Sequence, residues 1–149
     1  ITYHGFTEYY KLREAMKDYH IFAYPNIWPE TMCRAVLEAM SAGMLCVHPN
    51  LAALPDTTGC LNFLMYDGTT DLNEHANRFA GALIQAIGMI RSIDEGLQQR
   101  LLFNKAYIDT RYSTQYVHNR WHGLLAMLNN QYPTVESCQI PNEEIVYRA

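Results

Sequence analysis

Residues 20–49 read HIFAYPNIWPETMCRAVLEAMSAGMLCVHP. "HIFAYP" is a short apolar, β-prone run stopped by Pro25, the mark of a buried strand. "ETMCRAVLEAMSAG" has the composition of a helix, closed by Gly43, because glycine takes the left-handed position after a helix at little cost. "MLCVHP" is a second buried strand, stopped by Pro49. Strand, helix and strand in such close succession predict a crossover joining parallel neighbours.

The same alternation extends in both directions. Upstream, "ITYHG" is expected to be a strand ended by Gly5. "TEYYKLREAMKDY" then places Tyr9, Leu12, Met16 and Tyr19 at helical spacing, with Thr7 as the N-cap. Downstream, "NLAALPDTTG" is a loop or short helical turn and "CLNFLMY" a fourth strand. From Leu72 onward the pattern is helical, over about 72–90, 94–110 and 113–130, and the tail from residue 131 to 149 has two prolines and weak periodicity. The expected architecture is α/β, a Rossmann-like parallel sheet with flanking helices and a helical C-terminal third. Residues 1–130 form the domain and 131–149 a tail that is extended or partly ordered. No repeat or linker divides the chain.

At 149 residues the chain suffices for one domain with a real core. Its 49% hydrophobic and 17% charged residues exclude disorder and suggest a face meant to be covered. A formal charge of −4 with scattered basic residues gives no footprint for nucleic acid. The cysteines at 33, 46, 60 and 138 form no CxxC and no regular spacing, so reduced thiols in a cytoplasmic protein are expected in preference to a disulfide framework or zinc site. No run approaches a membrane span, and no basic stretch followed by an apolar one opens these residues, so a signal peptide is not expected. The start at "ITYHGF", without an initiator Met, reads as a piece of something longer.

In open parallel sheets ligands bind beyond the carboxyl ends of the strands. Three stretches fall there: Gly5-Phe6-Thr7, Asn26 to Arg34, and His48 to Gly59. The second holds Glu30, with Glu38 eight positions on. On one helix, at about 1.5 Å per residue, the two would stand roughly 12 Å apart, the reach of a diphosphate with a sugar at either end. Backbone N–H groups of Met32, Cys33 and Arg34 would then be first-turn donors facing an anion. From spacing alone the blander alternative is the commoner one, with Glu30 complementing the helix dipole and Glu38 on a solvated face.

The surrounding residues shift that balance. Pro25-Asn26, Glu30-Thr31-Met32-Cys33, Glu38-Ala39-Met40-Ser41-Ala42-Gly43, Leu45-Cys46-Val47 and Leu54-Pro55-Asp56 stand in the order of a known motif. This stretch resembles the donor-binding, C-terminal half of the retaining GT-B glycosyltransferases, the family that includes sucrose synthases and lipopolysaccharide and mannosyl transferases. The likeness covers about residues 1–68. It implies a nucleoside diphosphate sugar as substrate, no cofactor and no metal. By the same likeness Glu38 would hold the ribose hydroxyls and Glu30, the catalytic carboxylate, the hydroxyls of the transferred sugar. Thr31 and Met32 would belong to the donor-binding stretch, backbone groups of Cys33, Arg34 and Ala35 would cradle the diphosphate, and the Gly5-Phe6 backbone would meet the base. Met32 and Cys33 replace the family's Phe-Gly, Asn26 its Ser and Leu45 its Pro. Cys33 in particular would put a side chain where backbone approaches the sugar.

The expected function is transfer of a hexosyl group from the donor to a carbohydrate or lipid acceptor. The resemblance implies further strands, a basic loop and an acceptor-binding domain preceding Ile1. The fragment alone is therefore expected to be inactive, with an exposed edge that self-association could cover. A non-catalytic nucleotide-sugar module and a plain α/β interaction domain are the alternatives. His118 and His122, one turn apart, lack a third metal ligand and read as surface residues. Tyr107, Tyr112, Tyr116 and Trp121 read as helix packing.

Overall fold

The computed structural model describes residues 2–62, 64–92 and 95–131. The elements are α1 (Tyr9–Met16), β1 (Ile21–Ala23), α2 (Arg34–Ser41), β2 (Leu45–Asn50), α3 (Leu54–Thr57), β3 (Met65–Asp67), α4 (Leu72–Arg91), α5 (Glu95–Arg111) and α6 (Thr114–Gln131). The chain is α/β: a three-stranded parallel sheet in the order β1-β2-β3, flanked by helices, with a helical C-terminal part. Two compact units divide it, one ending at Ser113 and one beginning at Thr114.

The central strand explains why the sheet is covered on both sides. Successive side chains of a strand point to opposite faces. Leu45 and Val47 of β2 accordingly join a core with Leu64, Tyr66, Ala86 and Leu97, while Cys46 joins another with Val36, Met40, Leu54 and Ile108. A parallel strand buried on both faces reads as a continuous apolar run, which is how "MLCV" looks in the sequence. Each such aliphatic side chain contributes about 1.5–3 kcal/mol by leaving water.

α5 closes the second of these cores by packing on α2. The Lys105 ammonium donates to the Ser41 carbonyl and pairs with the Asp109 carboxylate at 2.7 Å, and the Ser41 hydroxyl donates to the same carboxylate. Further back in the chain, Gly59 has φ +64°, and a Cβ there would lie 2.5–2.7 Å from the Tyr107 ring and hydroxyl. A side chain at this position would have to displace the tip of the Tyr107 ring.

The three long helices lie within a residue or so of their expected bounds. Several other expectations are corrected. Residues 2–5 form no strand, and Tyr3 is exposed, so no sheet partner or core holds this segment. α1 begins at Tyr9 after Glu8, not at a Thr7 cap, and only its Met16 is buried; Tyr9, Leu12 and Tyr19 are exposed. α2 begins at Arg34, not at Glu30, because Cys33 is extended at φ −101° and ψ 95° and turns its side chain into the core. The strand expected over 60–66 shortens to Met65–Asp67 and pairs only with His48–Asn50. Cys60 takes a left-handed φ of +57°, which strand pairing does not accept. Trp121 is 60% exposed on α6, and Tyr116 is exposed as well, so neither is core. The tail and Cys138 lie outside the described residues. Cys33, Cys46 and Cys60 are free thiols.

Candidate functional site

β1, β2 and β3 are parallel, so the chain leaves all three at one edge of the sheet. The first loop there carries Glu30. Its carboxylate Oε1 accepts hydrogen bonds from the Tyr24 hydroxyl and, at 3.1 Å, from the Asn26 amide. Its backbone carbonyl accepts from Ala53 N–H at 3.1 Å, tying the loop to the segment after β2. The neighbouring Ala52 sits at φ +48°, a left-handed position for a residue with a side chain. Asn26 also closes a tight turn with Trp28, donating to its carbonyl at 2.7 Å and accepting from its N–H at 2.9 Å.

Tyr24 follows β1 and continues its pairing, donating its N–H to the Val47 carbonyl at 2.9 Å, while its ring stacks on Phe22 with centroids 5.6 Å apart. The hydrogen bond to Glu30 and then burial push the Tyr24 phenol well above its usual range. Burial first, and then the same carboxylate, raise the Cys33 thiol too. Both stay protonated near neutrality.

Glu38 occupies the second turn of α2. Its Oε1 accepts from Arg34 Nε at 2.7 Å and from the Tyr9 hydroxyl, and the Arg34 guanidinium covers the Tyr9 ring at 4.7 Å. Between the two carboxylates lies the start of α2. No side chain caps it and its first turn holds no acid, although Cys33 is desolvated directly beneath. The N–H groups of Arg34 and Ala35 therefore have no intrahelical acceptor. α4 shows the opposite arrangement: the Asp71 carboxylate accepts from Asn73 N–H at 2.9 Å and Glu74 N–H at 3.0 Å and closes that helix start.

The structure thus brings Glu30, Cys33, Arg34, Ala35 and Glu38 around one helix start. The 12 Å helical ruler does not apply, since Glu30 lies in a loop. Cys33 does not fill the cradle, because its sulfur is buried. Thr31 and Met32 are exposed in the same loop. Gly5 and Phe6 remain in an exposed segment before α1, Phe6 at 96% exposure, and no hydrogen bond among the described residues ties them to either glutamate.

Sequence reasoning passed over Tyr24 and placed Tyr9 only in the helical spacing of α1. The signal for Tyr24 was its place just past a strand's carboxyl end; nothing in the spacing marks Tyr9. It also passed over a cavity of about 340 Å³ at the same sheet edge, lined by Asn26, Asn50, Thr69, Thr70 and His75 among others. Comparison with protein-family models, curated proteins and solved structures gives no match. Among the described residues no three His, Cys, Asp or Glu side chains are grouped to hold a metal ion, and no helix is long and apolar enough to cross a membrane.

Proposed function

We propose that the chain is the donor-binding part of a retaining GT-B-type hexosyltransferase that uses a nucleoside diphosphate sugar. The observation carrying this reading is the uncapped start of α2, set between two glutamates that neighbouring tyrosines hold in place. Arg34 and Ala35 N–H groups, aided by the helix dipole, would receive the diphosphate and stabilise it as it departs. Glu38 would accept the ribose hydroxyls once Tyr9 gives way. Glu30 would accept hydroxyls of the sugar and support the positive charge that builds at the anomeric carbon. The reading needs no metal ion. The acceptor, a carbohydrate or lipid, would meet a separate acceptor-binding domain, so these 149 residues alone are expected to bind donor without turnover.

The test is calorimetric titration of the chain with UDP, GDP and ADP, alone and as their hexose conjugates. At least one should bind, and Glu38→Ala should weaken it about tenfold, as loss of a charged hydrogen bond to ligand does. Unchanged affinity in Glu38→Ala, or no binding by any of the nucleotides, favours an interaction domain instead.

A further inference from the structure

The cavity at the sheet edge has a chemistry of its own. It lies beyond the ends of β2 and β3, where Asn50 ends one strand and Gly68 and Thr69 follow the other. Its wall combines amides and hydroxyls from Asn26, Asn50, Thr69 and Thr70 with apolar side chains of Ile27, Leu51 and Leu72. At about 340 Å³ it is at the small end of ligand pockets, suited to one ring and not to a nucleotide.

Charge narrows the ligand further. Neither Lys nor Arg is among the residues that line the cavity. Arg78, the nearest cation by sequence, is already engaged by the Asp67 carbonyl and the Glu74 carboxylate. Asp71 has taken the free N–H groups at the start of α4, so the helix end that could have received an anion is closed. Glu30 is one bond removed through Asn26. An anionic ligand would find no lysine or arginine on the wall of this cavity to balance its charge.

His75 supplies the remaining clue. It is 6% exposed, its Nε2 lies 3.1 Å from the Tyr66 hydroxyl, and its Nδ1 has no hydrogen-bond partner among the described residues. A buried nitrogen left unpaired costs about 1–3 kcal/mol, so a partner is expected. The Tyr66 contact allows either tautomer, leaving Nδ1 as donor or acceptor. A hydroxyl serves both, and His75 is among the residues that line the cavity.

We propose that this cavity binds one uncharged, polyhydroxylated ring, a neutral monosaccharide unit, with its hydroxyls on Asn50, Thr69 and His75 and its C–H face on Leu51 and Leu72. The proposal rests on the cavity alone and does not require the nucleotide reading. The ring could be the sugar of a bound nucleotide donor or a separate saccharide.

The test is two-dimensional NMR of the isotope-labelled chain, following the amides of Asn50, Gly68, Thr69 and Thr70 and the His75 ring nitrogens. D-glucose and D-mannose serve as neutral probes, with D-glucuronate and inorganic phosphate as anionic ones. At least one neutral hexose should shift these signals saturably with a roughly millimolar dissociation constant, normal for about a dozen heavy atoms. Glucuronate should bind at least about tenfold more weakly, since its charge is buried without a partner. Asn50→Ala and Thr69→Val, both at the cavity rim, should each weaken the hexose severalfold while leaving the rest of the spectrum in place. Absence of saturable shifts with either hexose, equal response to glucuronate or phosphate, or indifference to both variants would overturn the proposal. UDP-glucose and GDP-mannose separate the sources: joint shifts in the cavity and around Glu38 identify the donor's sugar, whereas undiminished hexose binding beside a bound nucleotide sugar identifies a separate saccharide. Hexose binding without any nucleotide binding would sink the transferase reading and leave the cavity standing. Nucleotide binding with a silent cavity would do the reverse.

Discussion

Glu30 and Glu38 have nearly the same immediate surroundings, a tyrosine hydroxyl and one nitrogen donor on a single oxygen, yet their supports differ. Tyr24 grows out of the sheet, shares its pairing with β2 and stacks on Phe22. Tyr9 comes from an eight-residue helix of which only Met16 is buried, and its partner Arg34 is 69% exposed. Helices this short hold only by tertiary packing, and α1 has little of it. One carboxylate is fixed by the core; the other is held by an element at the low end of local stability. A site built this way can keep one end rigid while the other opens to admit a ligand.

The largest effect that would test this contrast lies in the sheet. Leu45→Ala should lower stability by about 2–5 kcal/mol in urea unfolding, because a fully buried side chain on β2 leaves a cavity. A smaller loss would mean that the supposed rigid end is soft. Next comes Tyr24→Phe, expected to cost about 1–3 kcal/mol, since a half-buried carboxylate loses its hydroxyl donor. Tyr9→Phe should be too small to resolve by the same measurement. Equal costs for the two would abolish the distinction.

Acid acts on the rigid end as well. His48 is fully buried on β2, and burial holds its imidazole below the ordinary histidine range. In the unfolded chain it titrates near 6.5, so below that pH the unfolded state binds the extra proton. Stability from this group is therefore present above about pH 6.5 and falls with decreasing pH, by up to ~1.4 kcal/mol per unit, until the folded pKa is passed. Urea midpoints between pH 7.5 and 5 measure it, and a midpoint that rises on acidification would contradict it. The smallest expected effect is a gain: with Glu38 released, Tyr9→Phe should bind nucleoside diphosphate roughly twofold to tenfold more tightly by calorimetry. Weaker binding would make Tyr9 part of the site, not its competitor.

How much of this was legible in the sequence follows the same division. β1, β2, α2 beyond Arg34 and the three long helices were readable because apolar periodicity and glycine stops record burial directly. The "ITYHG" strand, the Thr7 cap and the long fourth strand were not, because local β-propensity says nothing about whether a partner strand is present. The glutamates were singled out by their spacing and given weight by the resemblance, whereas their partners Tyr24 and Tyr9 lie 6 and 29 positions away and were not read as such. The start of α2 was misplaced by one turn because Cys33, apolar in its behaviour, reads equally as helix or as core.

Gly59 carries a consequence that reaches past its own turn. The aromatic ring of Tyr107 rests in the space that any other residue at 59 would fill, so an absence there makes room for a side chain from far along the chain. Tyr112, five residues on, donates its hydroxyl to the Thr57 carbonyl at 3.2 Å, and the two tyrosines grip the same turn from one helix. The turn thus receives two side chains of the same helix whose Lys105 and Asp109 clasp the end of α2. The helix whose start carries no side-chain cap is thereby braced at its other end, beside a glycine that leaves room for an aromatic ring.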